Sequence, residues 1–118
     1  IQFYQKKLNK SIDNFDWSHN TPLFKAVDAL NIKAVESLLV KGASPMMWNK
    51  VEICPLLLII NKIIDNPYSQ FELKAEIFKL LMQFGGNMWF ENEYRGNIHS
   101  IVMQSGCHQA IGLIKLYH

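Results

Sequence analysis

Thr21-Pro22-Leu23-Phe24-Lys25-Ala26 recurs thirty-three residues later as Cys54-Pro55-Leu56-Leu57-Leu58-Ile59. Each copy leads into a helix-like apolar stretch that closes on glycine. Ala34-Val35-Glu36-Ser37-Leu38-Leu39-Val40-Lys41-Gly42-Ala43-Ser44 aligns without a gap on Ile77-Phe78-Lys79-Leu80-Leu81-Met82-Gln83-Phe84-Gly85-Gly86-Asn87. A period of this length marks stacked supersecondary units, each too small to bury its own apolar face and held by its neighbours. Pro22 suits the first turn of a helix, where its missing N–H would have no intrahelical partner. Gly42 and Gly85 fall where an amphipathic helix must end in a left-handed residue, a conformation glycine adopts without steric cost.

On these residues the chain resembles the ankyrin repeat family, whose pattern runs Thr-Pro-Leu-His-x-Ala and closes a second helix on Leu-Leu-x-x-Gly-Ala-Asp. The resemblance implies an all-α fold, an ankyrin-like α-solenoid of stacked helix-turn-helix repeats joined by hairpin loops. Phe24 and Leu57 stand at the family's histidine, so packing must secure the turn that the histidine supports there. A third copy begins near Gly96-Asn97-Ile98-His99-Ser100-Ile101, in which His99 keeps the family residue although no proline precedes it. Its second helix, His108 to Tyr117, carries Ala110, Ile111, Ile114 and Leu116. Upstream, Ile12 and Asp16 match a hairpin loop and Asn9 the end of an earlier helix. The chain therefore divides into a partial N-terminal repeat (1–20), repeat one (21–53), repeat two (54–95) and a C-terminal repeat (96–118), all one domain. Beginning mid-repeat and without an initiator Met, it reads as a piece of a longer protein.

In repeat one, the first helix should run from Pro22 to about Leu30, and Asn31 should cap the second. That second helix, Ile32 to Lys41, aligns Val35, Leu38 and Leu39 on one stripe at i, i+3 and i+4. Pro45 forbids its continuation. Repeat two is ten residues longer between Leu56 and Gly85 than its counterpart between Leu23 and Gly42. The insertion lies near 65–74, around Asp65-Asn66-Pro67-Tyr68-Ser69. Ser69 with Glu72 reads as a capping box, which starts the outer helix near Gln70 and carries it to Phe84, some turns longer than its neighbour. The lengthened pair should protrude from the end of the stack opposite the hairpin loops, either as a tolerated extension or as a contact for a partner.

Composition narrows the function. Hydrophobic residues make up 49% of the chain, but the longest apolar run, Ile53 to Ile60, contains Pro55 and stops at Asn61-Lys62, too short for the ~20 residues that span a bilayer. Twelve basic and ten acidic residues are mixed along the chain for a net charge of +2, and Arg95 is the one arginine. That balance offers no electrostatic footprint for a phosphate backbone, so nucleic acid is not an expected partner. The excess of Lys over Arg, with abundant Ile and Asn, resembles proteins of AT-rich genomes. Cys54 and Cys107 lie in different units and read as unpaired thiols of a reducing, intracellular compartment. Metal spacing is missing, since neither C-x-x-C nor H-x-x-x-H occurs. No Gly-rich phosphate loop or activated nucleophile can be assembled either, so the reading is not an enzyme and needs no cofactor.

All three tryptophans fall between helical pairs: Trp17, Trp48 in Met46-Met47-Trp48-Asn49, and Trp89 in Met88-Trp89-Phe90. Large aromatics and pliable Met on projecting loops dominate protein interfaces, although such residues also pack as core. In the ankyrin family these segments line a concave face, which implies a partner-binding surface of Trp17, Asn20, Met47, Trp48, Lys50, Glu52, Trp89, Glu93 and Arg95. The expected function is a protein–protein interaction module holding a partner protein on its concave face and loops. The alternative is a structural or regulatory domain that docks in cis on the catalytic domain of a larger enzyme or secreted effector, in which case the host cytosol is its compartment.

Overall fold

The computed structural model describes residues 20–91 and 96–117. The expected N-terminal partial unit, with Asn9, Ile12 and Asp16, lies outside them except for Asn20. The described residues are all-helical and contain no strand: α1 (Pro22–Asp28), α2 (Ile32–Val40), α3 (Pro55–Asp65), α4 (Phe71–Gln83), α5 (Ile98–Ser105) and α6 (His108–Lys115). α1 pairs with α2, α3 with α4 and α5 with α6; between pairs, α1 packs on α3, α2 on α4, and both α5 and α6 on α3. The middle helix is thus the axis of the core, and its Leu56, Leu57, Ile59, Ile60 and Ile63 are buried. Facing it are Leu23 and Val27 of α1, Ile77, Phe78 and Leu81 of α4, Val102 of α5 and Ile114 of α6, all buried.

The recurrence seen in sequence is repeated in hydrogen bonds. α2 and α4 end in the same motif: the N–H of the left-handed glycine bonds the carbonyl three back, and the next N–H bonds the carbonyl five back. In the first helix these are Gly42 to Leu39 and Ala43 to Leu38, both 3.0 Å; in the second, Gly85 to Met82 at 3.4 Å and Gly86 to Leu81 at 2.8 Å. Gly42 and Gly85 have φ of 102° and 108°. Two residues past each glycine a side chain takes the N–H two positions on, Ser44 from Met46 (3.2 Å) and Asn87 from Trp89 (3.0 Å). The carbonyls of Pro45 and Met88 then accept from Leu56 (3.2 Å) and His99 (3.1 Å), satisfying N–H groups that the first turns of α3 and α5 leave without intrahelical partners.

The first helices of the three pairs start with different caps. Thr21 Oγ1 accepts from Phe24 N at 3.2 Å and Asn97 Oδ1 from Ser100 N at 2.8 Å, whereas Cys54 at the start of α3 makes no side-chain cap bond. Asn31 caps α2 as read from sequence, its Oδ1 accepting from Ala34 N at 3.2 Å. Within α2, Val35 and Leu39 are buried and Leu38 is half-buried. In α6, Ala110 and Ile114 are buried and Ile111 half-buried, but Leu116 lies beyond the helix and is 66% exposed, while Leu113 takes the expected core place. The reason is angular: Leu113 stands three residues from Ala110 on the α3-facing stripe.

The insertion is built differently from its sequence reading. Ser69 and Glu72 do not form a capping box; Gln70 is the N-cap of α4, left-handed at φ 53°, with no side-chain cap bond. The turn after Pro67 shifts the helix start by one residue, so Ser69 stands outside the cap and Glu72 falls at the second helical position. α4 is thirteen residues against nine for α2, four residues or about one turn longer rather than several. What closes this end is Lys74, only 5% exposed. Its ammonium donates to the carbonyls of Lys62 (3.1 Å) and Asn66 (2.9 Å), capping α3 with a cation where the helix dipole is negative. Desolvation lowers its pKa, Lys62 adds to the lowering and Asp65 opposes it.

Candidate functional site

The surface at the other end of the pairs is organised by one asparagine. Asn49, 8% exposed, donates from Nδ2 to Asn20 Oδ1 at 2.8 Å and accepts at Oδ1 from the N–H groups of Val51 and Ile53, both at 3.0 Å. Its backbone N–H donates to Ile53 O at 3.0 Å and its carbonyl accepts from Glu52 N at 3.1 Å, with Glu52 left-handed at φ 63°. Residues 48–53 are therefore a closed turn tied to the start of α1. Such side-chain to backbone bonds are what asparagine offers where no ladder or helix is available. The next loop is tied back to it, because Asn87 N donates to Met46 Sδ at 3.4 Å.

These two loops bring the aromatics together. Trp48 is half-buried with its ring centroid 6.0 Å from that of Phe90, the planes inclined at 30°. Trp89 stacks on the imidazole of His99 at 4.1 Å and 22°. Trp89 is 50% exposed, Phe90 47% and Val51 60%, so three large apolar side chains face solvent on two adjacent loops. Among the described residues Trp48 Nε1 is buried and meets no hydrogen-bond partner. Charge at the rim is mixed: Lys50 and Glu91 are exposed, Glu52 is half-buried, and Glu91 Oε2 accepts from Asn97 Nδ2 at 3.2 Å.

Of the residues proposed from sequence, Trp48, Lys50 and Glu52 belong to the Asn49 turn and Asn20 is its anchor, Met47 stands just before that turn, and Trp89 lies on the neighbouring loop. Trp17, Glu93 and Arg95 lie outside the described residues. Sequence reasoning missed Asn49, Phe90, Val51 and His99. The first was legible as an asparagine in a loop bounded by Pro45 and Pro55, a residue type that bonds its own turn; the apolar pair sits beside residues already chosen.

The rest of the described surface offers little chemistry. Cys54 is buried and its thiol is pushed up to about 11 by desolvation, which removes it as a nucleophile at neutral pH. The described residues hold no group of three His, Cys, Asp or Glu side chains able to share a metal ion, and none of their helices is long and apolar enough to cross a membrane. No protein-family model matches the chain, and neither a curated protein nor a solved structure matches it.

Proposed function

We propose that the chain is a protein-recognition module, an ankyrin-like stack of irregular repeats that binds a partner protein through the Asn49 turn and the Trp89–Phe90 loop. The observation that carries this reading is the exposure of Trp89, Phe90 and Val51 on loops whose backbones are tied by Asn49, Asn87 and Met46. Monomeric proteins seldom spend large aromatics on exposed loops, and rigid aromatic anchors lose little conformational entropy on binding. The thirty-three-residue recurrence and the shared closing motif of α2 and α4 support the repeat assignment.

The test is affinity capture from the source or host cytosol with the wild-type chain and with Trp48→Ala/Lys50→Ala/Trp89→Ala. A protein retained by the first and lost by the second, at unchanged melting temperature, supports the reading; identical captures would refute it. The same surface serves docking in cis on a catalytic domain. In that case the face is protected when the catalytic domain is present and accessible in the isolated chain, a difference that amide exchange reads directly.

A further inference from the structure

The two aromatic loops carry a charge pattern that narrows the kind of partner they fit. On the first loop the exposed Lys50 precedes the exposed Val51; on the second the exposed Trp89 and Phe90 precede the exposed Glu91. Each loop therefore presents apolar side chains together with one exposed charge, and the two charges are opposite. Neither charge stands on a loose segment. The Asn49 turn closes around Lys50, with Glu52 N donating to Asn49 O at 3.1 Å, and Glu91 Oε2 accepts from Asn97 Nδ2 at 3.2 Å. The contact of Asn87 N with Met46 Sδ and the Trp48–Phe90 ring pair set the spacing of the loops.

A partner recognised through charge of one sign, such as nucleic acid or an anionic membrane, needs a patch of the other sign. Among the described residues this face has no such patch. A two-fold axis passing between the loops answers to the pattern instead, because it lays the cation-bearing loop of one copy against the anion-bearing loop of the other. Two-fold interfaces are isologous, so the patch must be complementary to itself. An apolar centre inside a charged rim that carries both signs meets that condition. The net charge of +2 over 118 residues also leaves little repulsion between copies at long range.

We propose that the aromatic loop face binds a second copy of this chain, forming a two-fold dimer in which Val51, Trp89 and Phe90 pack at the centre and Lys50 of each copy pairs with Glu91 of the other. The inference rests on the reading of this face as a recognition surface and names its partner. Loops already tied in place lose little conformational freedom when they meet, which favours association of a small patch.

The test is sedimentation equilibrium of the 118-residue chain from about 1 μM to about 1 mM, the span of weak to moderate affinities. The expected result is a monomer–dimer equilibrium that Trp89→Ala shifts to monomer. Lys50→Glu and Glu91→Lys each set like charges at both rim pairs and should weaken self-association about tenfold or more. An equimolar mixture of these two variants should restore it, because in the mixed dimer both pairs are again of opposite sign. The recovery should fade in ~1 M salt, where the Debye length is ~3 Å. Melting temperatures taken at about 1 μM, where association does not contribute, should match wild type in all three variants. Charge variants that associate as well as wild type, or a mixture that recovers nothing, overturn the proposal even if a dimer forms, since it then uses another face. A wild-type chain that stays monomeric throughout also overturns it. In that event, cytosolic capture of a different protein, lost with Trp89→Ala, leaves the recognition reading standing with another partner, and no such capture removes that reading as well.

Discussion

Replacing Asn49 by Ala tests whether one side chain holds the candidate face together. The substitution removes three hydrogen bonds, at 2.8, 3.0 and 3.0 Å, from a residue that is 8% exposed. Val51 is exposed, so water replaces its lost partner at little cost. Ile53 is half-buried and its N–H loses an acceptor that water reaches less easily, and the tie to Asn20 that joins the turn to α1 disappears. Taking roughly 1 kcal/mol for each of the last two bonds, the loss should be about 2 kcal/mol. Urea unfolding monitored by far-UV circular dichroism measures it, with an unchanged slope certifying that the unfolded state is not altered. Lys50→Ala, the exposed neighbour, is the control and should stay within about 0.5 kcal/mol of wild type. The Trp48 indole signal should broaden or move in Asn49→Ala but not in Lys50→Ala. A loss below about 0.5 kcal/mol with an unmoved indole signal would refute the claim that Asn49 organises the loop.

Gly42→Ala should cost about 1–2 kcal/mol from backbone strain alone, since an added methyl meets nothing within 4 Å there. Gly86→Ala should be worse than Gly42→Ala, because its Cβ would stand 2.8 Å from Leu81 O; comparing the two denaturation midpoints separates strain from collision. Leu81, fully buried, should lose roughly 2–5 kcal/mol on change to Ala, and half-buried Leu38 should lose less, with equal losses contradicting the burial pattern. Cys54 should resist a thiol reagent at pH 8 until the protein unfolds, because a thiol pushed up to about 11 supplies almost no thiolate there; labelling at the rate of an unfolded control would contradict its burial.

How much of this was legible in the sequence depends on the range of the interaction involved. The closing glycines, the Asn31 cap and the proline starts are local signals, and each stands within one or two residues of its reading. The capping box failed because its pattern assumes which residue is the N-cap, and the turn after Pro67 moved that position from Ser69 to Gln70. Lys74 was opaque for a different reason. A lysine in a helical pattern reads as a solvated charge, and its role at the C-terminus of α3 exists only once two helices are packed. The aromatic loops were found as a class from Trp48 and Trp89, yet Asn49, which arranges the first loop, could be recognised only by what its side chain reaches. Leu116 was misplaced since stripe counting was carried past Lys115, where α6 ends.

The most direct measurement of the central claim is amide hydrogen exchange of the chain with and without the captured partner. Protection on binding should fall on residues 46–53 and 87–91, leave the outer faces of α2 and α4 unchanged, and vanish in the Trp89→Ala variant as affinity drops by about 2 kcal/mol or more, roughly thirtyfold. Protection confined to α2 and α4, or a complex indifferent to Trp89, would contradict the assignment of the loop face as the binding surface.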